Sequence, residues 1–234
     1  VSAGKIIITP QFRGPDNSGN GGYTCGRLAS YINGPAEVTL KLPPPLNQPL
    51  EVVQVPSGGV ALMNGEQTIA TAVSASIHLA IPDPPSYEDA VKAAGQHAMM
   101  EAHVYPGCFV CGPARQKADG LRLFAGRVEN QDYVAAPWIP EECFADESGV
   151  MRDEIVWAAL DCPGAWAILD KKLRMVLLGR MAVEIIKPVK PGQELVVIGW
   201  QIAEEGRKIQ AGTALFDENG NLCAKGRSTW IELK

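Results

Sequence analysis

One order of elements occurs twice along these 234 residues: a strand, a helical stretch, then several strands. In the first half, residues 5–12 read as a strand, and a loop of nearly pure turn formers follows over 13–22. Leu28, Tyr31 and Ile32 then recur at helical spacing, which predicts a helix over 23–32 that Gly34-Pro35 ends. Val38 and Leu40 alternate with Glu37, Thr39 and Lys41, so 36–42 reads as a half-buried strand. Further strands are expected at 50–55, 59–63 and 67–77. In the second half, strands at 120–127 and 132–138 precede a helix over 153–169, which Pro163-Gly164 must bend or interrupt. Strands are expected again at 173–187, 194–202, 208–216 and 222–232. Asn64-Gly65 and Asn219-Gly220 each signal a hairpin.

The two halves share this pattern but few letters. Each predicts an antiparallel sheet with one apolar face, which its own helix covers, and the free sheet edges can pair across the halves. Pro82, Pro84, Pro85, an alanine-rich piece and Pro106-Gly107 mark the connection. The expected division is 1–85, a linker over 86–107, and 108–234. The 24 glycines and 18 prolines fit a strand-rich chain with many tight turns.

The formal net charge of −5 disfavours a nucleic-acid partner. No apolar run approaches the ~20 residues that span a bilayer, so no membrane partner is expected. Ile6, Ile7 and Ile8 form too short a run for a signal peptide, and a cytoplasmic protein is the simplest expectation. The six cysteines are expected to be free thiols. There is no Walker loop and no dinucleotide fingerprint in a strand–helix context.

Four residue groups carry candidate chemistry. Gly21 and Gly22 open the first helix, where free backbone N–H groups can meet a carbonyl oxygen; they also suit a plain tight turn. Asn20 is placed to cap that helix or to donate to a ligand. Asp161 stands in the apolar stretch between Ile155 and Ala167, where a carboxylate needs partners. Burial would raise its pKa and suit it to general-base work; direct attack on an acyl carbon and a purely structural role are the other readings. Glu154 lies seven residues earlier and shares the Asp161 face if the helix is regular. Trp138, Trp157 and Trp166 suit either the lining of an apolar pocket or ordinary core.

Asn20-Gly21-Gly22-Tyr23, followed by Leu28-Ala29-Ser30, resembles the start of the central helix in thioesterases of the hotdog-fold superfamily. Asn20 stands where those proteins commonly have histidine, and Ser30 lies one residue beyond the usual acidic position. Ala159-Leu160-Asp161 resembles their acidic stretch, without a preceding Gly-Gly. The element order resembles the fused double-hotdog form found among acyl-CoA thioesterase-like proteins. The resemblance implies an α+β fold, a double hotdog in which each half is a curved antiparallel sheet wrapped around a central helix. It implies hydrolysis of an acyl-CoA or related acyl-carrier thioester, without a cofactor, and assembly as a homodimer of double hotdogs. Asp161 would activate water, with Asn20 and Glu154 as further catalytic candidates. The Gly22 and Tyr23 amides would polarise the carbonyl, and Gly21, Gly22 and Tyr23 form the expected substrate-binding set. A non-catalytic acyl-ligand-binding or assembly protein is the alternative, and a hydratase-type lyase a third reading.

Cys108-Phe109-Val110-Cys111, with His103 nearby, has the spacing that begins a zinc site. A second close pair is absent from the sequence, and Cys143 and Cys162 are only possible distant ligands. A redox pair and a tight turn into Leu121 are the other readings, and the expectation is that Cys108 and Cys111 bind no metal.

Overall fold

The computed structural model describes residues 2–56, 58–97 and 103–233. Among the described residues, eleven strands join one antiparallel sheet. In chain order they are β1 (Ser2–Ile6), β2 (Ala36–Leu40), β3 (Leu50–Gln54), β4 (Val60–Asn64), β5 (Gln67–Ser74), β6 (Gly126–Arg127), β7 (Val134–Trp138), β8 (Val176–Ile185), β9 (Leu195–Glu205), β10 (Lys208–Phe216) and β11 (Leu222–Glu232). Their order across the sheet is β1-β3-β4-β5-β2-β8-β11-β10-β9-β7-β6. Strands from the first half of the chain therefore occupy one side, and strands from the second half the other. The seam is β2 against β8, with Val38 opposite Met181. Arg180 of β8 reinforces it by donating to Thr39 Oγ1 at 3.1 Å.

Four helices accompany the sheet: α1 (Gly21–Ala29), α2 (Tyr87–Gly95), α3 (Asp153–Ala159) and α4 (Cys162–Leu169). Helix α1 is buried along nearly its whole length, including Tyr23, Cys25 and Leu28. It rests on the first-half strands and crosses α3 closely. Glycine permits that crossing. A Cβ on Gly22 would stand 2.5 Å from Asp161 Cβ, and one on Gly26 would stand 2.5 Å from Glu154 Cα. Helix α4 packs on β9 and β10. Helix α2 lies within the expected linker and covers β7.

Three sequence expectations change. The first strand ends at Ile6, and Pro10–Phe12 form a single 3-10 turn; Pro10 has no N–H to give a strand ladder. Only Gly126–Arg127 of the 120–127 strand pairs with β7, because Leu121 N and Leu123 N donate instead to Phe109 O and Val110 O of the Cys108 turn. The second helix breaks at Leu160–Asp161, just ahead of Pro163-Gly164. Pro163 sits in the first turn of α4, where a missing N–H costs least. Among the described residues, no helix is long and apolar enough to cross a membrane.

Candidate functional site

The break between α3 and α4 sets Asp161 against the start of α1. Asp161 occupies the capping position of α4 but makes no side-chain bond to that helix. Its Oδ2 accepts instead from Asn20 Nδ2 at 2.9 Å and from the Gly22 N–H at 2.8 Å. The other oxygen, Oδ1, is buried with no hydrogen-bond partner among the described residues. Only 2% of Asp161 is exposed. Burial pushes its carboxyl up to about 7, against the lowering effects of the Gly22 amide and Asn20.

Asn20 does two jobs. Its Oδ1 accepts from Tyr23 N at 2.9 Å and caps α1, while its Nδ2 holds Asp161. The two amides expected to polarise a carbonyl are therefore occupied, Gly22 N by Asp161 and Tyr23 N by Asn20. Gly22 itself serves the α1–α3 contact. Tyr23 is core: its ring stacks on Phe12 at 4.0 Å, and its hydroxyl accepts from Arg27 at 3.1 Å. Gly21 alone of the expected substrate-binding set lines a cavity. Glu154 lies outside that cavity and pairs with Arg152 at 3.5 Å. The helix breaks before Asp161, yet both acids stand against α1, Asp161 at Gly22 and Glu154 at Gly26, and of the two only Asp161 lines the cavity.

The cavity has a volume of about 500 Å³. Asn20, Gly21 and Asp161 meet a wall of Leu178, Trp166 and Trp230. Trp138 and Trp157 are absent from the lining. At its rim stand Leu42, Val104, Leu173, Met175 and Leu233, which are exposed although apolar. A larger groove of about 840 Å³, bordered by Lys117, Arg122 and Glu142, shares no lining residue with this cavity.

Of the two distant thiols that the sequence offers beside the Cys108 pair, Cys143 and Cys162, the structure brings in Cys162. Cys162, in the first turn of α4, lies with its Sγ 3.8 Å from Cys108 Sγ. The Sγ atoms of Cys108, Cys111 and Cys162 all lie within 4.8 Å of one another. Hydrogen bonds from Cys111 and Cys162 hold the Cys108 thiol well below its ordinary value, and donating to Cys108 pushes both partners up. His103 Nε2 stands 3.3 Å from Cys111 Sγ. These thiols line the same cavity as Asp161. No signal within either local stretch points to the other, because the convergence is long-range.

No family model matches the chain. The "Putative esterase SSO1253" of Saccharolobus solfataricus is 31% identical over 85 residues, a stretch covering 36% of this chain and 55% of that protein. The chain thus spans about half the length of this curated relative. Among solved structures, the tesB protein MAP1729c of Mycobacterium avium subs paratuberculosis aligns with a TM-score of 0.63 at 14% identity, over 98% of this chain and 92% of that one. The "putative thioesterase" from Novosphingobium aromaticivorans aligns with a TM-score of 0.66 at 11% identity, over 98% and 95%. At such identities the likeness is one of fold alone: an α+β fold with a large antiparallel sheet and helices, of hotdog-like architecture.

Proposed function

We propose that the chain is a double hotdog, divided into 1–85, a linker over 86–107 and 108–234, that hydrolyses an acyl-CoA or related thioester. One observation carries this reading: Asp161 is pinned through Oδ2, while Oδ1 has no donor among the described residues and stands beside an apolar cavity. A buried carboxylate oxygen without a donor is costly unless a ligand or water meets it. In the proposed step Asp161 Oδ1 takes a proton from water as the water oxygen bonds to the thioester carbon. The C–S bond then breaks, and the proton passes to the departing thiolate. The Gly21 N–H polarises the carbonyl in place of the Gly22 and Tyr23 amides. Asn20 positions Asp161, and Glu154 takes no part in the step. The apolar rim around Leu173 receives the acyl chain.

The second reading is an acyl-ligand-binding protein without turnover, and the occupied Gly22 and Tyr23 amides favour it. One experiment separates the two. Turnover and equilibrium binding of a panel of acyl-CoA chain lengths are measured for the protein and for Asp161→Asn. Hydrolysis is expected to fall ~10²–10⁴-fold in the variant, the range for loss of a positioned acid–base group, with binding and thermal melt nearly unchanged. An active Asn variant removes Asp161 from the step. Binding without hydrolysis by the natural chain establishes the second reading.

A further inference from the structure

We propose that Cys108, Cys111 and Cys162 bind one zinc ion between the Cys108 turn and the first turn of α4. Tetrahedral zinc with Zn–S bonds of about 2.3 Å places its sulfurs roughly 3.8 Å apart. Cys108 and Cys162 already stand at 3.8 Å, and Cys111 lies within 4.8 Å of both. Closing the site therefore takes a movement of about 1 Å at one side chain. All three cysteines are buried, and no disulfide consumes them. Thiolates are soft ligands that select zinc over magnesium or calcium.

The surrounding backbone is built to hold this geometry. Gly112 N donates to Cys108 O at 2.9 Å, which closes the turn that carries both Cys108 and Cys111. A side chain at Gly112 would press within 2.6 Å of Cys108 N and 2.5 Å of Cys108 O, so the turn requires glycine. Arg115, also buried, donates to Gly107 O at 2.8 Å and to Pro10 O at 3.3 Å, anchoring the same loop.

His103 serves as a donor to sulfur, not as a fourth ligand. Its Nδ1 accepts from the Tyr105 N–H at 3.0 Å, so Nε2 carries the ring hydrogen toward Cys111 Sγ. Donors of this kind around a metal-bound thiolate tune and orient it. The three cysteines line the cavity that Asp161 shares. Three buried thiols can also serve as small apolar side chains. Two turns delivering three sulfurs to one point, with a ring N–H aimed at one of them, argue for the metal.

Zinc content decides between these. The full chain is purified without chelator, supplied with zinc, desalted, and measured by native mass spectrometry and elemental analysis. One zinc per chain is expected. Zinc content should fall at least about tenfold in Cys108→Ser and in Cys162→Ser, and should hold in the control Cys143→Ser. Cobalt substitution of the unmutated chain, which needs no variant to fold, should give thiolate-to-cobalt charge-transfer and tetrahedral ligand-field bands. His103→Ala should keep zinc bound, with affinity reduced by about 10–100-fold. A wild-type chain that holds no zinc after loading, a Cys162→Ser chain that holds as much as wild type, or a Cys108–Cys162 disulfide in protein prepared without oxidant would overturn the proposal.

Discussion

Asn20 Nδ2 reaches Asp161 Oδ2 at 2.9 Å across a separation of 141 residues. The same asparagine caps α1 through its other side-chain atom. Helix start and buried acid are thus held by one amide, and two substitutions separate its roles. Serine keeps an N-cap oxygen but cannot reach Asp161; alanine loses both bonds. Asn20→Ser should be more stable than Asn20→Ala by about 1 kcal/mol, the usual worth of a cap. Both should lower turnover, because Asp161 keeps only the Gly22 amide as a fixed donor. Denaturant melts and steady-state rates on the two variants check this. Equal stability would mean that the cap contributes nothing.

Gly22 makes a sharp test of why glycine opens α1. Its added Cβ would meet Asp161 Cβ at 2.5 Å and Trp157 O at 2.8 Å, and the latter is backbone that cannot rotate away. Gly22→Ala should destabilise by about 1–3 kcal/mol, the usual cost of forcing a methyl into a packed contact. Gly95, the last residue of α2, has none of the described residues within 4 Å of its Cβ position. Gly95→Ala should therefore stabilise by up to about 1 kcal/mol through helix propensity. The same chemical change carries opposite signs, and paired thermal melts read it directly.

Leu173 is the most exposed large apolar side chain on the cavity rim, at 68%. It contributes little to the core, so Leu173→Asp should leave the melt unchanged. If the rim receives an acyl chain, the aspartate removes apolar contact worth ~0.8 kcal/mol for each methylene it no longer covers. The dissociation constant for a long-chain acyl-CoA should rise while that for free coenzyme A stays the same. Calorimetric titration with both ligands is the measurement. Equal loss for both would shift the acyl path elsewhere.

Asp161 was legible from sequence because a single acid in an apolar helical stretch has to be explained, and Asn20 was legible as a cap. Their bond was not legible: it depends on how α1 crosses α3, which the glycines at 22 and 26 permit but do not announce. Glu154 and Asp161 both stand against α1, as their spacing suggested, but the break at Leu160–Asp161 turns the chain so that only Asp161 lines the cavity. The element order survived because strand alternation and Asn-Gly turns are short-range signals. The seam of β2 with β8 agreed with edges pairing across the halves. Cys162 could be named from the sequence only as a possible distant ligand, on a par with Cys143, because its partners are 51 or more residues away and spacing rules count only neighbours.

His97 gives the fold a dependence on pH that can be signed in advance. The side chain is 6% exposed; its Nδ1 donates to Ala125 O at 2.8 Å, and Nε2 has no partner among the described residues. Trp166 stands edge-on at 4.2 Å, with Phe124 at 5.9 Å and His103 at 6.4 Å, and no carboxylate among the described residues acts on the titration of His97. Burial lowers the His97 pKa below its ordinary 6.5, only partly offset by the bond to Ala125. The unfolded chain therefore binds a proton more readily than the folded one. Stability from the neutral ring is present above the unfolded pKa and is lost as pH falls below about 6.5. His97→Gln keeps an N–H for Ala125 O but cannot titrate. Its melting temperature should fall less between pH 7 and pH 5 than that of the wild type, by direct comparison at each pH. Burial lowers His103 in the same direction, so the variant should retain part of the slope. Parallel curves for wild type and variant would show that the His97 ring is not the group that resists protonation.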